Sequence, residues 1–462
     1  MEQHLNSGIE YSENLYESKI LNDLRLKIEN RTAVIGLIGL GYVGLPLAVA
    51  FSRKFNVIGY DINQNIVNKL KRGMSNISDV SDEEIEKYVG KSLFPTTNSV
   101  ELSQCDIIII CVPTPLTDEK EPDMSYIVSS SETIAKVLRR GQFIILESTT
   151  YPGTTEELVV PILEKTGLKA LQDFGVAYSP ERIDPGNKDY KVENTPKVVG
   201  GLNMGCTEIA AIAYSSVLNK VIKVTDARTA EAVKMVENIF RNVNIALVNE
   251  LALIFERMDI DTWEVINAAS SKPYGYMAFY PGPGIGGHCI PLDPFYLSYK
   301  AKKYGFIPRF IETSGEINDF MRIHAVNLAE KGLRNAGKRI FGAKVAVLGL
   351  AYKKNISDTR ESPTSKILEE LVKQGAEIRV YDPCASSIRT KVGEFVSEST
   401  IEDAVRGADC ALFVVDHDKF KALDLADIEI IMDTPVIVDC KNMFNFKDND
   451  GIHLCIGKNS EY

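Results

Sequence analysis

Several things are missing from this chain, and each absence excludes something. The eight cysteines (Cys105, Cys111, Cys206, Cys289, Cys384, Cys410, Cys440 and Cys455) form no C-x-x-C pair. Neither a zinc ribbon nor a dithiol redox motif is therefore supported, and no metal is expected. No apolar run approaches the roughly 20 residues of a membrane-spanning helix. The N-terminus is polar and lacks the apolar core of a secretion signal. Positive charge is in short supply: 52 Lys and Arg against 63 Asp and Glu leave a net charge of -11. That balance disfavours non-specific nucleic-acid binding, and any phosphate ligand must be met by local groups. A reduced, cytoplasmic compartment, no membrane and no nucleic-acid partner are the expectation.

The 462 residues are too many for one hydrophobic core, so two or three domains are expected. Residues 1–30 are polar, with a patchily helical stretch from Glu17 to Ile28, and read as an extension outside the main fold. Residues 31–215 alternate short apolar runs with amphipathic segments. The strand candidates are Val34 to Gly39, Val57 to Tyr60, Ile107 to Val112, Phe143 to Leu146 and Gly175 to Tyr178. Such alternation implies parallel β-α-β units. Residues 216–335 are mainly helical, with one long candidate helix from Thr229 to Arg257. Residues 336–462 alternate again, through Lys344 to Gly349, Glu377 to Asp382, Cys410 to Val415 and Val436 to Asp439. The predicted class is α/β: two Rossmann-like doubly wound domains joined by a central helical dimerisation segment.

Gly39-Leu40-Gly41-Tyr42-Val43-Gly44 follows a strand and opens an apolar helix. Glycines at this spacing allow a tight turn and let a pyrophosphate approach the helix N-terminus. Asp61 ends the next strand, where a carboxylate can bond a ribose 2′-OH and repel a 2′-phosphate, favouring NAD over NADP. Thr114 and Thr149 follow later strands of the same unit, at the ligand-binding ends of such sheets. Lys234, Asn238 and Arg241 share one helix face; an amine and an amide there can hold an oxyanion.

Cys289 sits in the run Tyr280-Pro-Gly282-Pro-Gly284-Ile-Gly286-Gly287-His288-Cys289, with Asp293 four residues on. Glycine at that density packs no core and suits close approach to a ligand. A thiol placed there is a candidate nucleophile toward a carbonyl. Lys353, Lys354 and Arg360 lie in a strand-end loop of the last unit and could meet a diphosphate.

These motifs, in this order, resemble the nucleotide-sugar 6-dehydrogenases, the UDP-glucose/GDP-mannose dehydrogenase family, from about residue 30 to the C-terminus. The resemblance implies an N-terminal NAD domain, a dimerising helical middle and a C-terminal UDP-sugar domain. It implies a four-electron oxidation of a primary alcohol to a uronate, with two NAD⁺ and a water. By that resemblance Cys289 is the nucleophile, Glu181 and Asp293 manage water and protons, and Lys234, Asn238 and Thr149 steady the oxyanion. Residues 39 to 44, Asp61, Thr114, Thr149 and Arg360 would bind NAD. Glu181, Arg182, Lys234, Asn238, Arg241, Tyr280, Gly282, Gly284, Gly286, Gly287 and Lys353 would bind the UDP-sugar.

Two departures refine the reading. Leu292 stands where the UDP-glucose enzymes carry a lysine, and Ser179-Pro180-Glu181-Arg182-Ile183-Asp184-Pro185-Gly186-Asn187 replaces their Asn-Pro-Glu-Phe segment. Both resemble the branch acting on UDP-N-acetylhexosamines, with N-acetylglucosamine the first expectation. N-acetylmannosamine, glucose, a two-electron hydroxyacid dehydrogenase and a non-catalytic nucleotide-sugar sensor are the alternatives. Lys272 and Arg309 are the candidates for a residue reaching across a homodimer.

Overall fold

The computed structural model describes residues 19–77, 79–117, 121–183, 189–287, 290–446 and 451–459. The chain divides into two compact units, Met1–Glu237 and Asn238–Tyr462.

The first unit is built on an eight-stranded sheet. Its strands are β1 Val34–Ile38, β2 Asn56–Tyr60, β3 Leu93–Thr96, β4 Ile107–Ile110, β5 Phe143–Leu146, β6 Gly175–Tyr178, β7 Lys197–Gly201 and β8 Val221–Lys223. Their order is β3-β2-β1-β4-β5-β6-β7-β8. The first six follow the order of a dinucleotide-binding doubly wound sheet, with the topological switch between β1 and β4. Strands β4, β5 and β6 are buried at every position. That is why they read as unbroken apolar runs and not as alternation.

Strands β3, β7 and β8 are absent from the sequence-derived set. β3 contains a proline and β7 carries a lysine and two glycines, so neither shows a strong apolar run. β7 pairs antiparallel with β6, a departure from the all-parallel expectation. Antiparallel neighbours need no helical crossover between them.

Helix Lys19–Glu29 also departs from expectation. It was placed outside the fold, yet Leu21, Leu24 and Ile28 are buried in the first unit's core. Their i, i+3, i+7 spacing makes one apolar stripe, which outweighs the polar composition around it.

The second unit holds a five-stranded parallel sheet: β9 Lys344–Leu348, β10 Glu377–Tyr381, β13 Cys410–Phe413, β14 Val436–Asp439 and β15 Ile452–Cys455, in the order β10-β9-β13-β14-β15. A small hairpin, β11 Ser387–Thr390 with β12 Gly393–Val396, stands apart from it. Helix Arg309–Asn335 packs on this sheet through Met321, Ala325, Leu328 and Leu333. The observed class is the predicted one, α/β with two Rossmann-like sheets and a helical stretch between them in sequence. The long helix runs Ala227–Arg257. Among the described residues, no helix is long and apolar enough to cross a membrane.

The two sheets solve one local problem in the same way. Gly39 N–H donates to the Tyr60 carbonyl and Leu40 N–H to Asp61 Oδ2 at 2.8 Å. Gly349 N–H donates to the Tyr381 carbonyl and Leu350 N–H to Asp382 Oδ2 at 2.6 Å. Asp382 also accepts from Ala351, Cys384 and Ala385 N–H and from His417 Nε2. Burial alone would raise this carboxyl, but His417 and the backbone donors outweigh it and hold it at about 2. Its stabilisation is therefore complete above the unfolded value of about 3.9 and is lost as pH falls through about 2. Asp382→Ala should cost about 3–5 kcal/mol by stranding these donors. Urea denaturation at neutral pH measures it, and a loss below 1 kcal/mol would contradict the assignment.

Candidate active site

In the first unit the Gly39 turn is left-handed, with φ +92°, and a side chain there would meet the Cys111 carbonyl at 2.5 Å. At Gly44 an added Cβ would lie 1.8 Å from the Gly39 carbonyl oxygen, so the helix Gly44–Ser52 can begin here only without a side chain. At Gly41 a Cβ would meet nothing within 4 Å. The three glycines thus separate into a turn, an open approach and a packing contact. No side chain caps the N-terminus of that helix, which leaves its first N–H groups available to an anion. Asp61 Oδ1 accepts from Asn63 N–H at 2.8 Å, so with Leu40 it has two donors and spare lone pairs. Leu40 is buried, Val43 half-buried, and Tyr42 is more than a third exposed. A dinucleotide fits this cradle: open backbone, an uncapped helix start and an acid at the neighbouring strand end.

Around β4 and β5, Ser148 Oγ accepts from Val112 N–H at 2.9 Å and ties the Thr114 loop to the Thr149 loop. Thr149 is half-buried. Glu231, fully buried on the long helix, accepts from Gly153 N–H, Thr155 N–H and Thr155 Oγ1, pinning the end of the Thr149 loop. Burial raises the Glu231 carboxyl to about 7 despite those donors.

The Glu181 side chain accepts from Arg182 and Ile183 N–H, at 2.7 and 2.6 Å, and from Lys197 Nζ at 3.1 Å. Burial would raise its pKa, but the Lys197 ammonium and these hydrogen bonds hold it at about 2. Lys234 Nζ donates to the Glu181 carbonyl oxygen at 2.6 Å. Arg182 is committed elsewhere in the unit, to the Pro196 carbonyl and to Glu237.

In the second unit, Asn238 Nδ2 donates to Asp293 Oδ2 at 2.5 Å, and both residues are buried. Asp293 is the first residue of helix Asp293–Lys303, a position where a carboxylate is favourable. Arg241 parts from its predicted neighbours: it is exposed, whereas Lys234 and Asn238 are buried. Lys234 and Asn238 thus lie on a buried face of the helix, while the apolar Val236 and Leu247 are exposed. Cys289 and His288 lie outside the described residues.

The loop before Cys289 is held by amides that the motif reading missed. Asn242 Nδ2 donates to the Ile290 carbonyl at 3.0 Å, and Asn249 Oδ1 accepts from Gly282 N–H at 3.0 Å. Asn318 joins them: its Oδ1 accepts from Asn249 Nδ2 at 2.9 Å and its Nδ2 donates to the Asn242 carbonyl at 3.2 Å. Asn238, Asn242 and Asn249 fall at i, i+4 and i+11, and that spacing was the available signal.

Side chains added at Gly282, Gly284, Gly286 and Gly287 would meet Lys441, Arg322, and in the last two cases Tyr352. Lys441 follows β14 and was also missed; burial lowers its pKa. Tyr280 stacks on Trp263 at 5.4 Å and donates to Asn267. Lys353 is half-buried, whereas Arg360 is exposed and forks onto Asp358 at 2.7 to 3.2 Å. Lys272 is exposed, as is Arg309 at the start of its helix.

A doubly wound sheet with this glycine cradle defines a dinucleotide-binding protein. Three domain models of the UDP-glucose/GDP-mannose dehydrogenase family match the chain: the NAD binding domain over residues 33–218, the central domain over 228–320 and the UDP binding domain over 346–446. The chain belongs to this family and is an NAD-dependent nucleotide-sugar dehydrogenase. It is 41% identical over 355 residues to the UDP-N-acetyl-D-glucosamine 6-dehydrogenase of Pseudomonas aeruginosa, covering 76% of this chain and 83% of that one. The structure of a UDP-N-acetylmannosamine dehydrogenase from Pyrococcus horikoshii superposes with a TM-score of 0.86 at 34% identity, covering 92% of this chain and all of the other. That of an NDP-N-acetyl-D-galactosaminuronic acid dehydrogenase from Methanosarcina mazei gives 0.82 at 31% identity, covering 96% and 98%.

Asp61→Ala should weaken NAD⁺ and narrow the preference over NADP⁺ by roughly tenfold or more, since the acid's repulsion of a 2′-phosphate is lost. The ratio of kcat/KM for the two cofactors measures this, and an unchanged ratio would remove Asp61 from the ribose site.

Proposed function

We propose that this enzyme oxidises the C6 alcohol of UDP-N-acetylglucosamine to the uronate, through a covalent adduct on Cys289, for polysaccharide or glycan synthesis. The Ser179 to Asn187 segment and the Gly-Gly-His-Cys-Ile-Pro-x-Asp-Pro motif carry the N-acetylhexosamine reading, and the Pseudomonas relative supports the glucosamine epimer. UDP-N-acetylmannosamine is the second reading, favoured by the superposition on the Pyrococcus enzyme.

NAD⁺, when bound, supplies the hydride acceptor for each of the two oxidations. Residues 39 to 44, Asp61, Thr114, Thr149 and Arg360 are the cofactor contacts in this reading. Arg360 would first have to leave Asp358. After the first oxidation the Cys289 thiolate adds to the C6 aldehyde, and the carbonyl π pair moves to oxygen, giving the anion of the thiohemiacetal. The second oxidation leaves a thioester. Water then adds, the thiolate departs and the uronate forms. Lys234, Asn238 and Thr149 are the donors for the oxygen anions, and Asp293, held by Asn238, takes the water proton. With a pKa near 2, Glu181 stays ionised at neutral pH and serves by accepting a hydrogen bond from that water. Arg241, Lys353, Lys441, Tyr280 and the loop at 282 to 287 are the UDP-sugar contacts.

The exposed apolar residues Val236, Phe240, Leu247 and Ile254 recur at intervals of four and seven along the long helix and are 43% to 62% exposed. A second copy of this helix is the partner that such a repeat fits, giving a homodimer. The described cysteines are all free, in keeping with a reducing cytoplasm.

Offering UDP-N-acetylglucosamine, UDP-N-acetylmannosamine and UDP-glucose separately should give two NADH per sugar from the first. One NADH per sugar would remove the cysteine pathway. Cys289→Ser should halt after the first oxidation, because an alkoxide adds and leaves less readily than a thiolate; normal uronate formation by that variant contradicts the adduct. Leu247→Glu should turn the dimer into a monomer by light scattering, and an unchanged mass would exclude this face.

A further inference from the structure

The first unit holds a buried charge cluster that none of these roles uses. Glu147 ends β5, Lys197 begins β7, and Tyr214 lies on helix Met204–Ser215; they are 1%, 6% and 0% exposed. Lys197 Nζ bridges two carboxylates, donating to Glu147 Oε1 and to Glu181 Oε2. Tyr214 Oη donates to Glu147 Oε2 at 2.6 Å. Buried ion pairs add little net stability, because desolvation offsets their attraction. What such a cluster does supply is direction. The two backbone donors of Glu181 both bond Oε1, and Lys197 Nζ donates to Oε2.

We propose that Lys197, itself braced by Glu147 and Tyr214, is a positioning residue that aims Oε2 of the Glu181 carboxylate. This rests on the reading of Glu181 as the acceptor that orients water. Burial raises the Glu147 carboxyl even beside Lys197, and the same ammonium also donates to Glu181 Oε2. Three strands and a helix, by way of β5, β6, β7 and Met204–Ser215, thereby converge on one oxygen.

The test uses the full chain with NAD⁺ and whichever of the three UDP-sugars the wild type oxidises fastest. The double variant Glu147→Gln/Lys197→Met removes one negative and one positive charge together, leaves no bare carboxylate at 147, and leaves Glu181 with its two backbone donors. It should keep its thermal midpoint within a few degrees while kcat falls roughly tenfold to a hundredfold, with KM for both substrates nearly unchanged. The acidic limb of the kcat profile should move up by about one unit or more, because an opposite charge next to Glu181 is gone. Lys197→Arg should recover most of kcat. A folded double variant with wild-type kcat and acid limb overturns the proposal. If that variant is too unstable to assay, Lys197→Gln decides: an upward limb supports the role, and an unmoved limb removes it. Glu181→Gln separates the two levels. If it turns over normally, the Glu181 reading fails; if it is slow while the double variant is normal, Lys197 alone is excluded.

Discussion

Burial of the parallel sheets between packed helices leaves this chain's strand ends as the places where polar chemistry can stand. In the first sheet β4 to β6 have no exposed position, and in the second β13 and β14 have none. Polar groups in such strands are consumed by the ladder, so ligands collect at the carboxyl ends, beside the topological switch. At both β1 and β9 the chain leaves the sheet through a glycine, and the next N–H must find a partner in the interior. An aspartate at the end of the neighbouring strand supplies it each time, Asp61 in one unit and Asp382 in the other. The two have diverged in occupancy. Asp61 accepts from Leu40 and Asn63 N–H and can take a hydroxyl, whereas Asp382 accepts from five donors and is saturated.

An acidic chain that handles anionic ligands has to place its cations with care. Lys197 and Lys234 are both buried in the first unit, one between two carboxylates and the other on a backbone carbonyl. Charges so placed are costly to desolvate and contribute geometry more than stability. The low pKa of Glu181 follows from the Lys197 ammonium beside it, whereas burial raises Glu147 and Glu231 toward neutrality. Carboxyls of one chemical type thereby acquire different protonation states at one pH.

The long helix shows how a polar face can be an interior one. Glu231, Lys234, Asn238, Asn242 and Asn249 are all buried and each bonds a loop or a site side chain. The Gly-rich loop contributes little packing of its own, so side-chain amides substitute for a core in holding it. The same helix also exposes the apolar side chains Val236, Phe240, Leu247 and Ile254, which an ordinary surface helix would bury.

Much of this was legible in the residues alone. The alternating apolar runs specify two parallel sheets because a strand buried on both faces must be apolar throughout, and the glycine spacing with Asp61 specifies a dinucleotide turn because backbone sterics admit little else. The stripe Leu21, Leu24 and Ile28 was visible too, but whether it had a surface to cover was not. The positions of Lys197, Glu147, Asn249, Asn318 and Lys441 depend on which segments meet after crossing the sheet, and no local spacing carries that information. Whether a charged side chain is a solvated surface group or a buried constraint is decided by what packs over it, and tertiary structure alone decides that.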